Sequence, residues 1–355
     1  MNSPSPPRSP WQQFYGAIHS LRRRWYGKHA RHLPRPVISV GNLHWGGSGK
    51  TPLVAAIAAH LRDRGLAVCI LSRGYGSRGR GVRVVSAGQG LLLDARTAGD
   101  EPALLAGELP GVAVVVGPDR YQDGLEALAR LAPAPELFLL DDGFSHLALA
   151  RDLDLVAFPV ADPFGGGRLF PSGRLREPLA AIRRANAVIL TGAPDWGGRG
   201  AALASALLSR GFTGPGFASV TRPGTPRLAG GEPLPAGARV LLVTAIARPA
   251  AFTALARDLG LDIAGELSFP DHHLYTDASL DRIADAFRSS GAAAVLVTSK
   301  DRVKLLGRLD VLGVPLAELP IRADPEPAFW EWLDREIARL RETPSTRSPD
   351  SEAAS

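Results

Sequence analysis

Cysteine is almost missing: Cys69 is alone among 355 residues. No disulfide framework can hold this chain, so its stability must come from a packed core, and the composition suits a reducing cytoplasm. Cys69 lies in the apolar run Leu66 to Leu71 and reads as a small buried hydrophobe. Long apolar runs are missing too, and none approaches the roughly 20 residues that span a bilayer. Met1 to Pro10 is polar and rich in Pro and Ser, with no apolar stretch and cleavage site after it, so no signal peptide is read there. The expected place is the cytoplasm, on a membrane surface rather than through one. Acidic residues are absent before Asp63, whereas Arg8, Arg22, Arg23, Arg24, Lys28, Arg31 and Arg35 all precede it in a chain of net charge +6. Such a block attracts nucleic acid or acidic lipid head groups. The company of Trp11, Phe14, Tyr15, Trp25 and Tyr26 favours the lipid surface, since aromatic rings suit the head-group boundary. The competing reading is a helix docked on its own domain.

The length exceeds what one core usually organises, which points to two domains. Apolar runs suited to buried strands alternate with helical stretches, the pattern of a mostly parallel sheet covered by helices. Strands are expected at Val37 to Val40, Ala67 to Leu71, Val112 to Val116, Leu137 to Leu140, Leu153 to Pro159 and Ala187 to Thr191, with a helix over Pro52 to Arg64. A smaller α/β unit is expected to follow the Pro/Gly-rich stretch from Thr221 to Gly237. It comprises strands at Arg239 to Thr244 and Ala293 to Thr298, and helices at Pro249 to Leu259 and Asp277 to Ser289. Phe217 to Val220 and Val314 to Leu319 are read as a two-strand hinge between the units. The division is then 1–35 as a basic, aromatic membrane-associating segment, 36–220 as the first domain, and 221–321 as the smaller one. Residues 322–342 are expected to return to the first domain, with a helix over Pro327 to Arg341 by the spacing of Phe329, Leu333, Ile337 and Leu340, and 343–355 are expected to be disordered for want of apolar content.

Gly46-Gly47-Ser48-Gly49-Lys50-Thr51 stands between the first strand and its helix. A glycine-rich turn lets backbone N–H groups approach phosphate oxygens, and the helix N-terminus adds partial positive charge. Lys50 would reach the β- and γ-phosphates of a nucleotide, and the Thr51 hydroxyl would ligate Mg²⁺. His44 stands where the longer form of this P-loop motif has its first glycine, so the match is to the shorter GGxGKT form. The partner expected of such a loop is an acidic residue ending a buried strand, and Asp141 and Asp142 follow Leu137 to Leu140. Gly99-Asp100-Glu101-Pro102, Gly117-Pro118-Asp119-Arg120 and Phe269-Pro270-Asp271-His272-His273 concentrate further polar residues at loops. Each could be a cap, a turn or a surface histidine. Together they could supply a base and positive charge for phosphoryl transfer to an alcohol.

Read in order, the motifs VGNLHWGGSGKTP (Val40 to Pro52), LSRGYG (Leu71 to Gly76), GDEP (Gly99 to Pro102), LDDGFSH (Leu140 to His146), PSGRLREP (Pro171 to Pro178), AIARP (Ala245 to Pro249), DHH (Asp271 to His273) and TSKDRVKL (Thr298 to Leu305) resemble the tetraacyldisaccharide 4'-kinases. That family phosphorylates the lipid A precursor of Gram-negative bacteria. The resemblance implies transfer of the γ-phosphate of ATP, with Mg²⁺, to the 4'-hydroxyl of a tetraacylated glucosamine disaccharide 1-phosphate, giving lipid IVA at the cytoplasmic face of the inner membrane. It implies Lys50 and Thr51 on ATP and Mg²⁺, Asp141 and Asp142 at the metal, and Asp100 as base with His272 assisting. It also implies phosphate or transition-state contacts for Arg73, Arg120 and His146. Ser145, Ser299, Arg302 and Gly166-Gly167-Arg168 depart from the family pattern, and none carries an assigned catalytic group. A P-loop NTPase switch, a soluble small-molecule kinase and a non-catalytic nucleotide-binding module are the alternatives.

Overall fold

A computed structural model describes residues 25–26, 29–75, 77 and 79–342. Most of the basic, aromatic N-terminal segment and the whole tail after 342 lie outside the described residues. Among the described residues the strands are β1 (Val37–Gly41), β2 (Val68–Ser72), β3 (Arg83–Ala87), β4 (Ala113–Val116), β5 (Leu137–Asp141), β6 (Leu153–Pro159), β7 (Ala187–Thr191), β8 (Gly216–Pro223), β9 (Arg227–Leu228), β10 (Arg239–Thr244), β11 (Asp262–Ser268), β12 (Ala294–Thr298), β13 (Leu316–Leu319) and β14 (Ile321–Pro325). Among the described residues the α-helices longer than about one turn are α1 (Lys50–Asp63), α2 (Asp100–Glu108), α3 (Arg120–Arg130), α4 (Gly197–Leu208), α5 (Pro249–Asp258), α6 (Asp277–Ser290), α7 (Ser299–Leu305) and α8 (Pro327–Glu342).

Nine strands form one sheet in the order β14-β8-β7-β6-β1-β5-β2-β4-β3, and five form another in the order β11-β10-β12-β13-β9. The inner strands of the large sheet are parallel; only β3 and β14 at its edges run antiparallel to their neighbours. Both faces of a parallel sheet must be covered, which is why β1, β2, β5, β6 and β7 are buried at every position and read as unbroken apolar runs. β1 lies between β5 and β6. Chain order reverses there, and open α/β sheets bind ligands at the carboxyl ends of strands at such a reversal.

The final helix packs on the large sheet. Phe329, Leu333 and Ile337 of α8 are buried in the same core cluster as β1 and α1, each contributing about 1.5–3 kcal/mol of burial. Phe329 meets Phe217 edge-on at 5.5 Å, and Trp330 stacks on His60 at 4.2 Å. The expected hinge pairing is corrected. β8 pairs antiparallel with β14, whereas Leu316–Leu319 runs parallel to β12 inside the small sheet. The reason is burial: Leu316, Ala317 and Leu319 are apolar and enclosed, while Ile321–Pro325 is half polar and tolerates the edge of the large sheet.

Candidate active site

The loop after β1 is shaped by close backbone approaches. A Cβ on Gly41 would lie 2.4 Å from Phe144 Cβ, so β1 and the loop after β5 can touch only through glycine. Gly46 (φ +110) and Gly49 (φ +72) hold backbone conformations that side chains resist. Gly49 caps α1 without any side-chain acceptor, which leaves first-turn N–H groups for an anion. The loop is braced from beneath: Thr191 donates its hydroxyl to the Ser48 carbonyl (2.7 Å), and Asn42 Nδ2 donates to Ser48 Oγ (3.0 Å). Lys50 donates to Asn42 Oδ1 (3.0 Å) and lies 3.3 Å from Asp142 Oδ1. Thr51 follows as the second residue of α1. His44 is buried because its stretch pairs with the PSGRLREP segment: Trp45 N–H donates to Arg174 O and Arg176 N–H to Leu43 O, both at 2.7 Å. That pairing occupies the place of the longer motif's first glycine.

Asp141 ends β5 in register with Val40 of β1. It is 2% exposed, its Oδ1 has no partner among the described residues, and burial, with the Glu101 and Asp142 charges added, pushes its carboxyl up to about 7. A buried carboxylate oxygen with an open valence beside a phosphate loop fits a divalent cation. Among the described residues no three His, Cys, Asp or Glu side chains converge as a metal cage. Mg²⁺ bound through one or two carboxylates, water and phosphate needs none. Asp142 (φ +55) is differently placed, between Lys50 and Arg176 Nη1 at 2.5 Å. Burial would raise its carboxyl, but these two cations outweigh it and hold it below the ordinary value.

Asp100 and His272, 172 positions apart in numbering and belonging to different sheet units, stand together: His272 Nδ1 lies 3.5 Å from Asp100 Oδ2. Asp100 opens α2 after Gly99 (φ +96), where a Cβ would meet Gly74 Cα at 3.1 Å; two glycines thereby press GDEP against the LSRGYG loop. His272 (φ +59) is held by its backbone N–H donating to Ala245 O at 3.2 Å, and its ring centre lies 6.1 Å from that of Tyr75. The two histidines of the pair divide their work. His273 stacks on Phe269 at 4.7 Å and bonds Ser279 Oγ at 2.8 Å, so it packs against the core of the small unit.

Arg120 is 5% exposed, donates to Gly117 O at 2.7 Å and lies 3.7 Å from the buried Asp123. Burial raises Asp123 to about 7 despite that arginine. His146 is held down to about 4 by burial, then by the charges of Arg120 and Arg151, and is therefore neutral at physiological pH. Arg73 is exposed at the end of β2, close enough for its charge to act on Arg120 and His146. Asp119 instead caps α3 and pairs with Arg31 at 2.5 Å, so that arginine of the N-terminal basic block is docked on the large unit. Sequence reasoning gave no roles to Asn42, Arg176, Arg248, Lys300 or Lys304. Lys300 donates to Glu101 at 2.7 Å, and Lys304 lies 3.7 Å from Asp100 and 2.9 Å from Asp301. The contacts of Arg176, Arg248 and Lys300, and that of Lys304 with Asp100, each join two of the motifs quoted above, so the motifs were visible and their pairing was not.

The family model described as tetraacyldisaccharide-1-P 4'-kinase matches residues 8–338. A tetraacyldisaccharide 4'-kinase of Pelobacter propionicus is 42% identical over 333 residues, covering 90% of this chain and 89% of the relative. One from Anaeromyxobacter sp. strain Fw109-5 is 47% identical over 279 residues, 76% of this chain and 73% of the relative. The crystal structure of the "apo" form of LpxK from Aquifex aeolicus in complex with ATP superposes with a TM-score of 0.74 at 35% identity, covering 93% of this chain and 97% of that one.

Proposed function

Because the chain belongs to the tetraacyldisaccharide-1-P 4'-kinase family, we infer that it transfers the γ-phosphate of ATP to the 4'-hydroxyl of the tetraacyldisaccharide 1-phosphate precursor in lipid A biosynthesis. The observation that carries the mechanism is Asp100 facing His272 at 3.5 Å beside the braced P-loop. The hydroxyl oxygen attacks the γ-phosphorus in line with the bond to the β-phosphate oxygen. Its proton passes to Asp100, the bond to the β-phosphate oxygen breaks, and ADP leaves. His272 orients the carboxylate and the incoming hydroxyl. The Gly46 to Thr51 backbone and Lys50 hold the β- and γ-phosphates, while Arg120 and Arg73 offset charge on the transferring group and neutral His146 donates a hydrogen bond to it. Mg²⁺ would supply further charge neutralisation, and Thr51 and Asp141 are the groups suited to hold it; Asp142, engaged by Lys50 and Arg176, is the weaker candidate.

On this reading 36–220 with 322–342 is the nucleotide-binding body and 221–321 the smaller one, and reaction waits until both meet. That arrangement excludes water and limits idle ATP hydrolysis. No helix among the described residues is long and apolar enough to cross a membrane. The basic, aromatic segment 1–35 brings the enzyme to the anionic surface holding its acylated substrate.

The test is purified protein with labelled ATP, Mg²⁺ and tetraacyldisaccharide 1-phosphate in mixed micelles. Labelled lipid is expected, and ATP turnover without lipid should be far slower. Folded protein that binds ATP but makes no phosphorylated lipid would overturn the proposal, and lipid-independent turnover would favour an NTPase switch.

A further inference from the structure

We propose that Arg248 is a phosphate-contacting residue that the smaller unit delivers to the γ-phosphate, a role that rests on the kinase reading above. Arg248 stands just after β10, at the start of α5, and its guanidinium donates to the carbonyl of Gly47 in the P-loop. A Cβ on Gly47 would lie 3.7 Å from Arg248 Nη2, so the cation covers the loop's outer face. Among the described residues no carboxylate pairs with it, and it is exposed. A lone carbonyl uses a small part of a five-donor fork whose geometry suits phosphate oxygens.

The loop that carries Arg248 also carries the other half of the site. Ala245 accepts the backbone N–H of His272 at 3.2 Å and donates its own N–H to the buried Asp301 at 3.1 Å. Residues 245–248 therefore form one corner, anchored at Ala245, with two projections. One sets His272 on Asp100, and the other sets Arg248 on the P-loop. When that corner meets the nucleotide-binding body, the acceptor's base and a charge for the γ-phosphate arrive together. Lys50 and Arg120 belong to the nucleotide-binding body itself, and Lys300 and Lys304 of the smaller unit are engaged by Glu101, Asp100 and Asp301, so Arg248 is the cation through which charge neutralisation at the phosphate comes to depend on the smaller unit. Positive charge supplied from a separate body is worth about 10³ to 10⁵ in turnover in related phosphoryl transfers.

The experiment compares wild type, Arg248→Ala and Arg248→Lys as full chains, measuring lipid phosphorylation in mixed micelles and ATP binding by calorimetry. Expected are a loss of kcat of at least 100-fold in Arg248→Ala, ATP affinity and lipid KM within threefold of wild type, and incomplete recovery in Arg248→Lys. Millimolar guanidinium should restore part of the Arg248→Ala rate, an effect that a purely structural role does not give. Arg248→Ala with more than a third of wild-type kcat would overturn the inference, as would a loss of rate without guanidinium rescue. Failure of wild type to phosphorylate lipid in the same assay would instead sink the kinase reading.

Discussion

His146 offers a sharp test of the charge environment around the transferring phosphate. Its ring is mostly buried, with Nε2 lacking a partner among the described residues, and burial first, then Arg120 and Arg151, lower it from 6.5 to about 4. A histidine so depressed binds fewer protons in the folded than in the unfolded chain between about pH 4 and 6.5. Its cost to stability is therefore absent above pH 6.5 and grows as pH falls toward 4. At about 1.4 kcal/mol per pH unit this amounts to at most about 3 kcal/mol. His146→Gln removes the titrating group, so the variant should gain on wild type as pH is lowered from 7 to 4.5. Denaturant melts at several pH values measure that gain, and ¹H–¹³C spectra of the ring assign the titration directly. A His146 inflection near 6.5, or a stability difference that does not change with pH, would refute the reasoning. On the proposed mechanism His146 meets phosphate as a neutral donor, and it should then contribute no inflection to the rate profile near pH 6.5.

Two further perturbations probe the frame. Phe329→Ala empties a wholly buried site where α8 packs on the large sheet and should cost about 3–5 kcal/mol in denaturant melts; a cost under 1 kcal/mol would mean that α8 is not part of that core. Gly46→Ala puts a methyl at φ +110 and 2.2 Å from Arg174 Nη2, a strain of about 1–3 kcal/mol on the phosphate-binding shape. ATP affinity should fall roughly 5- to 100-fold with the fold intact, and unchanged affinity would mean that Gly46 does not shape the nucleotide site.

The strands around the switch point were legible because parallel strands buried on both faces must be continuous apolar runs, as in Leu137–Asp141 and Leu153–Pro159. Edge strands escaped for the opposite reason. β11 is half exposed and contains Gly265 and Glu266, and β14 is short, polar and ended by proline. The hinge was misassigned because hydrophobicity reports burial and not which buried edge a strand joins. The P-loop could be read from local chemistry, since one turn contains its glycines, lysine and threonine. Its supports could not: Arg176 reaches Asp142 from 34 residues away and Lys300 reaches Glu101 from 199. Such pairs are fixed by which loops the fold brings together, which no local pattern encodes.

The central claim is that Asp100, oriented by His272, acts on the hydroxyl and not on the nucleotide. Asp100→Asn keeps the shape and removes the base. Turnover with tetraacyldisaccharide 1-phosphate should fall by at least about 100-fold, while ATP affinity measured on the same preparation stays within threefold. Parallel losses of affinity and turnover, or turnover left near wild type, would contradict the account.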